Sequence, residues 1–257
     1  MTICATKESL VQTRHRQLAV WKDAVLDLLF PPHCVICRRL GTWLCQDCQD
    51  KIELITPPLC LRCGLPLAEP AGPSRSRAIC VRCQGRTTEL DGLLAYAFHT
   101  DPLRQIIHEF KYRDLRCLAR PLGQMMAQGW SALAPSEWEV DVIVPVPLHP
   151  TRQRQRGYNQ AALLARELGF HMQRPVVENV LVRSRPTVPQ VELSFQERMA
   201  NIQGAFQCTD SALAGKRVLL VDDVCTTGAT LEAAGAALRR GKVSSIWAYT
   251  LARAKPE

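Results

Sequence analysis

Residues 217–230 read RVLLVDDVCTTGAT, and few folds accommodate such a stretch. Val218, Leu219, Leu220 and Val221 form an unbroken apolar run, which fits a strand covered on both faces, as inside a parallel sheet. At its carboxyl end two carboxylates, Asp222 and Asp223, give way to a short turn of hydroxyls and glycine. A helix is expected from about Ala229, because Leu231, Ala234 and Leu238 recur at helical spacing. Strand, turn and helix follow one another, and the turn falls where α/β sheets bind ligands.

Such a turn suits the phosphate of a phosphorylated sugar. Gly228 lets the chain approach closely, and the backbone N–H groups of Thr226, Thr227, Gly228, Ala229 and Thr230 point into the turn. The helix N-terminus adds the positive end of its dipole. The threonine hydroxyls satisfy remaining phosphate oxygens, while Asp222 and Asp223 offer acceptors to a vicinal diol or to hydrated Mg²⁺. Together these features point to ribose 5-phosphate. A nucleotide-binding strand that ends in acids would need a G-x4-G-K-[ST] loop, and the chain contains none. An acidic phospho-acceptor cluster would not need the threonine–glycine turn.

At these residues the sequence resembles the phosphoribosyl pyrophosphate (PRPP) motif of type I phosphoribosyltransferases. The resemblance implies an α/β fold in which a phosphoribosyltransferase-like parallel sheet is flanked by helices, with Mg²⁺ accompanying PRPP.

Cysteine organises the other end of the chain. Eight of the 12 cysteines fall in four C-x2-C pairs, Cys34/Cys37, Cys45/Cys48, Cys60/Cys63 and Cys80/Cys83. This is zinc-site spacing, and two such knuckles complete a tetrahedral Cys4 shell. Four knuckles imply two Zn²⁺ ions. Sequential pairing groups Cys34, Cys37, Cys45 and Cys48 apart from Cys60, Cys63, Cys80 and Cys83, and an interleaved arrangement has compatible spacing. A closed Cys4 shell leaves no open coordination position, so the expected role is structural. The arginines around the pairs, Arg38, Arg39, Arg62, Arg75, Arg77, Arg82 and Arg86, suit either a solvated surface or a nucleic-acid-binding ribbon.

The expected organisation is a lead-in with an amphipathic helix (1–33), a small N-terminal cysteine-rich double zinc-ribbon module (34–86) and a phosphoribosyltransferase-type domain (87–257). Leu18, Trp21, Val25, Leu28 and Leu29 carry the helical pattern of the first segment. A formal charge of +8 favours polyanionic partners, a phosphorylated substrate or nucleic acid. No apolar run reaches the length of a membrane span and no signal-type segment opens the chain, so a cytoplasmic location is expected.

Beyond residue 91, strands are expected at 92–98 and 141–146 and helices at 102–112, 118–130 and 157–168, an alternation that predicts a mostly parallel sheet. Between them Pro145, Pro147 and Pro150 stiffen a loop that leads into Arg152, Arg154 and Arg156. Guanidinium forks there suit pyrophosphate oxygens. His149 reads as a turn residue and Cys225 as a small apolar filler without a histidine partner.

The run PVPLHPTRQRQRGYNQ, the cysteine pairs and residues Arg183, Gln190, Leu193, Arg198, Asn201 and Phe206 resemble the ComF (competence protein F, or GntX-like) family. The resemblance covers most of the chain, from Cys34 to Arg253. It implies a PRPP-binding protein linked to DNA uptake, either a phosphoribosyltransferase or a non-catalytic component that is regulated by PRPP or binds single-stranded DNA. DNA-uptake helicase and competence proteins are the implied partners. Asp222, Asp223 and Arg156 would be catalytic, while Arg152 and Lys111 would join the residues of the turn in holding PRPP. Residues 183–204 would form a mobile loop, with Gln190 and Arg198 meeting the ligand; Glu192 and Glu197 read as solvent-facing first, with a role as base the alternative. Purine-salvage relatives carry an aspartate where this chain has Thr226, which argues against 6-oxopurine salvage by that route.

Overall fold

The structure is a computed structural model in which residues 31–67, 79–185, 202 and 204–255 are described. The amphipathic helix expected near residues 18–29 lies outside them, as do Gln190, Glu192, Glu197 and Arg198. The chain separates into two compact units, Met1–Asp50 and Lys51–Glu257, with one cysteine cluster in each.

In the first unit, Cys34 N–H donates to the Arg39 carbonyl (2.8 Å) and Arg38 takes a positive φ of 63°, so the chain folds back as a knuckle. The second pair opens helix α1, Gln46–Gln49, which starts immediately after Cys45. An Arg39–Asp47 ion pair (2.6 Å) joins the two halves on the exposed face. Exposed pairs of this kind contribute little to stability, whereas metal binding by a cysteine cluster contributes folding free energy directly.

The second unit is built on one four-stranded parallel sheet. Its strands are β1 (Gly92–Phe98), β2 (Val142–Pro145), β5 (Arg217–Cys225) and β6 (Ser245–Arg253), in the order β1-β6-β5-β2. A separate antiparallel ribbon pairs β3 (Leu181–Arg183) with β4 (Phe206–Cys208). The central strands β5 and β6 bury long apolar runs, as a doubly covered parallel sheet requires; residues 218–221 have no exposure. Helices α2 (Leu103–Tyr112) and α3 (Ala119–Leu133) connect β1 to β2, and α6 (Ala229–Arg240) connects β5 to β6. Val218 and Leu220 of β5 pack with Leu231, Ala234 and Leu238 of α6 and with Leu181 and Phe206 of the ribbon.

Two aspartates clip the strands at their amino ends. Asp141 accepts from the Arg217 backbone N–H (2.9 Å) and pairs with its guanidinium (2.6 Å), fixing β2 against β5. Asp91 accepts from Ile246 N–H (2.6 Å) and pairs with Arg239 (2.7 Å), which does the same for β1 and β6. The opposite, carboxyl ends are left free for the site.

The second cysteine cluster is docked on β1. Leu93 N–H donates to the Leu61 carbonyl (2.9 Å), and residues 53–55 hydrogen-bond along the same strand through Ile55 N–H to Tyr96 O (3.1 Å). This covers an edge that would otherwise expose unpaired backbone groups. Gly64, at φ +69°, sits so close that a Cβ would stand 2.8 Å from the Leu93 carbonyl oxygen. Only glycine fits there.

Three expected elements differ. The arginine segment is not a loop but helix α4, Pro150–Arg156, with proline in its first turn and the His149 Nδ1 accepting from Thr151 N–H (3.3 Å). Gly157 does not begin a helix. At φ +76° it ends α4, and the following helix α5, Gln160–Met172, starts after Asn159, whose side chain accepts from Ala161 N–H (3.1 Å). Likewise residues 183–204 are not loop throughout, since Arg183 is held in β3 opposite Phe206.

Candidate functional site

The site forms where β1, β2 and β5 reach their carboxyl ends. Asp222 and Asp223 lie within β5, which extends to Cys225 rather than ending before the acids. Asp222 Oδ1 accepts from Asp223 N–H (2.8 Å), which fixes the first carboxylate against the strand. Asp223 turns the other way and pairs with Lys111 Nζ at 2.9 Å. Lys111 comes from the last turn of α2, so the sequence-distant lysine meets the acid pair directly.

Burial, and then the neighbouring Asp223 charge, pushes the Asp222 carboxyl up to about 7; Lys111 and Arg183 oppose the rise. Asp222 therefore gives up its proton less readily than an exposed carboxyl. His99, in the loop just after β1, lies within electrostatic reach of Lys111 and Asp223. Burial lowers its pKa first and the Lys111 ammonium lowers it further. Sequence reasoning did not single out His99, although its place directly after a parallel strand was a usable signal.

The Arg183 guanidinium stands 5.4 Å over the Phe206 ring, and burial followed by the Arg152 charge lowers its pKa to about 10 while Asp222 opposes. Arg152, Arg183 and Asp222 thus share one electrostatic neighbourhood. Arg156, at the far end of α4, donates to Gln160 Oε1 (3.1 Å) and Tyr112 Oη (3.2 Å) and lies 5.0 Å over the Tyr112 ring. It braces the end of α2, next to Lys111. Asn159 donates to the Val146 carbonyl (3.0 Å) and so ties α5 to the segment after β2.

Beyond Cys225 the chain makes the expected turn. Gly228 has a φ of +88° and directly precedes α6, a left-handed conformation that favours glycine. Ala229 N–H is met by Thr227 Oγ1 (3.3 Å); Glu232, in the first turn of α6, accepts from Thr88 Oγ1 (2.5 Å) and Glu89 N–H (2.8 Å). A helix N-terminus beside two carboxylates and a lysine can hold an anion at one end of a ligand and a diol or metal ion at the other. The hard carboxylate oxygens of Asp222 and Asp223 fit Mg²⁺.

Cys225 is packed in the apolar core, as expected, and its Sγ also accepts from Arg253 Nη1 at 2.7 Å; burial raises its thiol pKa, which suits a structural thiol rather than a nucleophile.

The cysteines form two separate clusters in sequential pairing, Cys34/Cys37/Cys45/Cys48 and Cys60/Cys63/Cys80/Cys83, each with all its sulfur atoms within 4.8 Å of one another. The Sγ–Sγ separations of 3.5 Å (Cys37–Cys45) and 3.8 Å (Cys63–Cys80) suit a tetrahedral ion with Zn–S bonds of about 2.3 Å. Each cluster has one thiol predisposed to ionise. Burial works against the Cys34 thiolate, but the backbone N–H groups of Cys45, Cys37 and Ile36 outweigh it and set the thiol at about 6. Cys60 is lowered to about 4, chiefly by the Cys63 thiol.

The pattern of the double zinc ribbon domain matches residues 25–84 and that of the phosphoribosyl transferase domain matches residues 136–257. The chain is 32% identical over 229 residues to competence protein F of Haemophilus influenzae, covering 86% of this chain and 96% of that protein. The chain belongs to the competence protein F family. Other relatives are the DNA utilization protein YhgH of Escherichia coli K12 (29% identity; 88% of this chain, 99% of that one) and competence protein ComFC of Bacillus subtilis (29%; 82% and 84%). In this member of the family, the two Cys4 clusters account for two zinc ions, and the phosphoribosyl transferase domain carries the Asp222–Asp223 pair. Among the described residues no helix is long and apolar enough to cross a membrane.

Proposed function

We propose that this chain binds PRPP with Mg²⁺ at the carboxyl end of β5 and transfers its phosphoribosyl group, in the service of DNA uptake. The observation that carries the reading is the acid pair at the mouth of a helix-N-terminal turn, with Lys111 2.9 Å from Asp223. In this reading residues 226–230 hold the 5-phosphate through backbone N–H groups, and Asp222 and Asp223 hold the ribose hydroxyls. Mg²⁺, when bound with the ligand, supplies positive charge to the pyrophosphate. Lys111 leaves Asp223 and turns to the pyrophosphate, where Arg152 joins it from α4.

Transfer breaks the bond between C1 and the pyrophosphate oxygen, which leaves with the electron pair while a nitrogen nucleophile attacks C1. Positive charge grows on the ribose as this happens, and the fixed carboxylates of Asp222 and Asp223 oppose its cost. Arg156 acts by holding the Tyr112 end of α2, which keeps Lys111 in reach. Thr226 supplies no carboxylate to an incoming base, which disfavours a 6-oxopurine acceptor.

The names of two relatives, a competence protein and a DNA utilization protein, fit the role in DNA uptake and suit equally a second reading, in which PRPP is a regulator and the protein is a non-catalytic part of the uptake machinery. Calorimetric titration of the zinc-loaded protein with Mg²⁺ and PRPP tests the binding shared by both. Saturable binding that Asp223→Asn abolishes is expected, and an unfolded variant is recognised by circular dichroism. Wild-type protein that takes up no PRPP would refute both readings. Release of pyrophosphate then separates enzyme from regulated component.

A further inference from the structure

The segment after β1 carries an uncommitted imidazole. His99 is half-buried, and its backbone N–H donates to the Arg253 carbonyl of β6 (2.7 Å), which fixes its place at the carboxyl end of the sheet. Its neighbours are engaged elsewhere: Thr100 Oγ1 donates to Glu53 Oε2 (3.1 Å), and Asp101 pairs with Arg104 (2.8 Å). Among the described residues the His99 ring has no hydrogen-bond partner.

The acid pair separates two sets of groups. Successive side chains of a strand point to opposite faces of the sheet, so Asp222 and Asp223 look different ways. Asp222 shares its field with Arg183, and Arg183 in turn with Arg152. Asp223 pairs with Lys111 and lies within electrostatic reach of His99. In the sheet order β1-β6-β5-β2 the segments that carry Arg152 and His99 also fall on opposite flanks of β5, since one follows β2 and the other β1. Displacement at C1 of a ribose needs the nucleophile and the departing group on opposite sides of the carbon. With pyrophosphate held by Arg152, the nucleophile comes from the flank of His99, and the swing of Lys111 toward the pyrophosphate clears that flank. Burial, the largest influence on His99, favours the neutral imidazole, the form that accepts a proton.

We propose that the nitrogen acceptor enters on the β1 flank of the ribose and that His99 receives its proton. The inference rests on the reading of Asp222 and Asp223 as holding the ribose of PRPP. The acceptor carries at least one N–H, which donates to an imidazole nitrogen before reaction. As the C1–O bond breaks and pyrophosphate leaves with the electron pair, the lone pair of the acceptor nitrogen forms the new bond to C1. The N–H proton passes to the imidazole, and the imidazolium so formed lies in the field of the Asp223 carboxylate, which favours it. His99 thus supplies the base that Thr226 cannot.

The product of such a transfer is a ring nitrogen joined to ribose 5-phosphate. The test therefore titrates ribose 5-phosphate and the four common ribonucleoside 5-monophosphates into zinc-loaded protein with Mg²⁺. At least one mononucleotide should bind about tenfold more tightly than ribose 5-phosphate, the gain expected of one hydrogen bond in a half-buried site. His99→Ala should remove most of that gain and leave the affinities for ribose 5-phosphate and PRPP within about twofold of wild type. The backbone bond to Arg253 survives this change, and circular dichroism checks the fold. His99→Gln, whose amide oxygen accepts a hydrogen bond but takes no proton, should keep more of the gain than alanine. Incubated with Mg²⁺ and pyrophosphate, the best-bound mononucleotide should yield PRPP by the reverse reaction, and His99→Gln should slow this by about 10²-fold or more. Mononucleotides that bind no better than ribose 5-phosphate, or a gain that ignores His99→Ala, overturn the proposal. A wild type that forms no PRPP, or a reverse rate unchanged by His99→Gln, overturns the proton transfer. Ribose 5-phosphate and PRPP titrated alone report on the sugar-phosphate site, so its failure is told apart from failure of the acceptor side.

Discussion

Replacing Asp222 by asparagine should stabilise the folded protein while removing its ligand. The Asp222 carboxyl, 3.8 when unperturbed, rises to about 7 because burial and the Asp223 charge both penalise the ionised form. At about 1.36 kcal/mol per pH unit this corresponds to at most about 4 kcal/mol of destabilisation once the group is charged. The folded state holds the proton more tightly than the unfolded state between pH 3.8 and about 7, so stability falls as pH rises through that window and is level above it. Asparagine keeps the oxygen that accepts from Asp223 N–H and carries no charge at any pH. Its stabilising effect should therefore be about 1 kcal/mol larger near pH 8 than near pH 6, a further rise in melting temperature of about 2–4 °C for a chain of this size. Thermal unfolding of the zinc-loaded proteins by circular dichroism at the two pH values measures this, and calorimetry checks that Mg²⁺–PRPP binding is lost. A variant less stable than wild type near pH 8 would refute the reasoning, as would a gain that shrinks as pH rises.

Three further outcomes are expected. Asp223→Asn strands the Lys111 ammonium in a site where it is 19% exposed, and should cost about 1–3 kcal/mol in denaturant unfolding. Affinity for Mg²⁺–PRPP should rise as pH climbs from about 6 to about 8 and then level, because Asp222 must be ionised to take the cation, and an affinity that does not change over this range would refute that role. Metal analysis should find about two zinc ions per chain, and Cys60→Ser should leave about one while weakening the docking of residues 60–64 on β1, seen as faster amide exchange at Leu93.

The central strand was legible because four consecutive apolar residues have few alternatives, and the turn because its glycine and acids lie adjacent in the chain. The zinc clusters were legible from spacing, yet their pairing needed three dimensions. Helix α4 was misread although Pro150 near its start and Gly157 just past its end carry the usual asymmetry of helix termini; three arginines in five residues masked it as a polar loop. Arg253 could not be found by pattern at all. It meets the Cys225 thiol because β5 and β6 pair with Cys225 opposite Arg253, a register invisible in the sequence. Arg183 was visible as a residue but not as a neighbour of Asp222, because that proximity depends on the β3–β4 ribbon closing against α6.

The central claim is that residues 226–230 hold the 5-phosphate of PRPP while Asp222 and Asp223 face its ribose. A crystal structure of the zinc-loaded protein with Mg²⁺ and PRPP tests it most directly. The account predicts the 5-phosphate on the backbone N–H groups of the turn and Lys111 drawn off Asp223 toward the pyrophosphate. PRPP bound with its pyrophosphate on that turn, or bound away from Asp222 and Asp223, would contradict it.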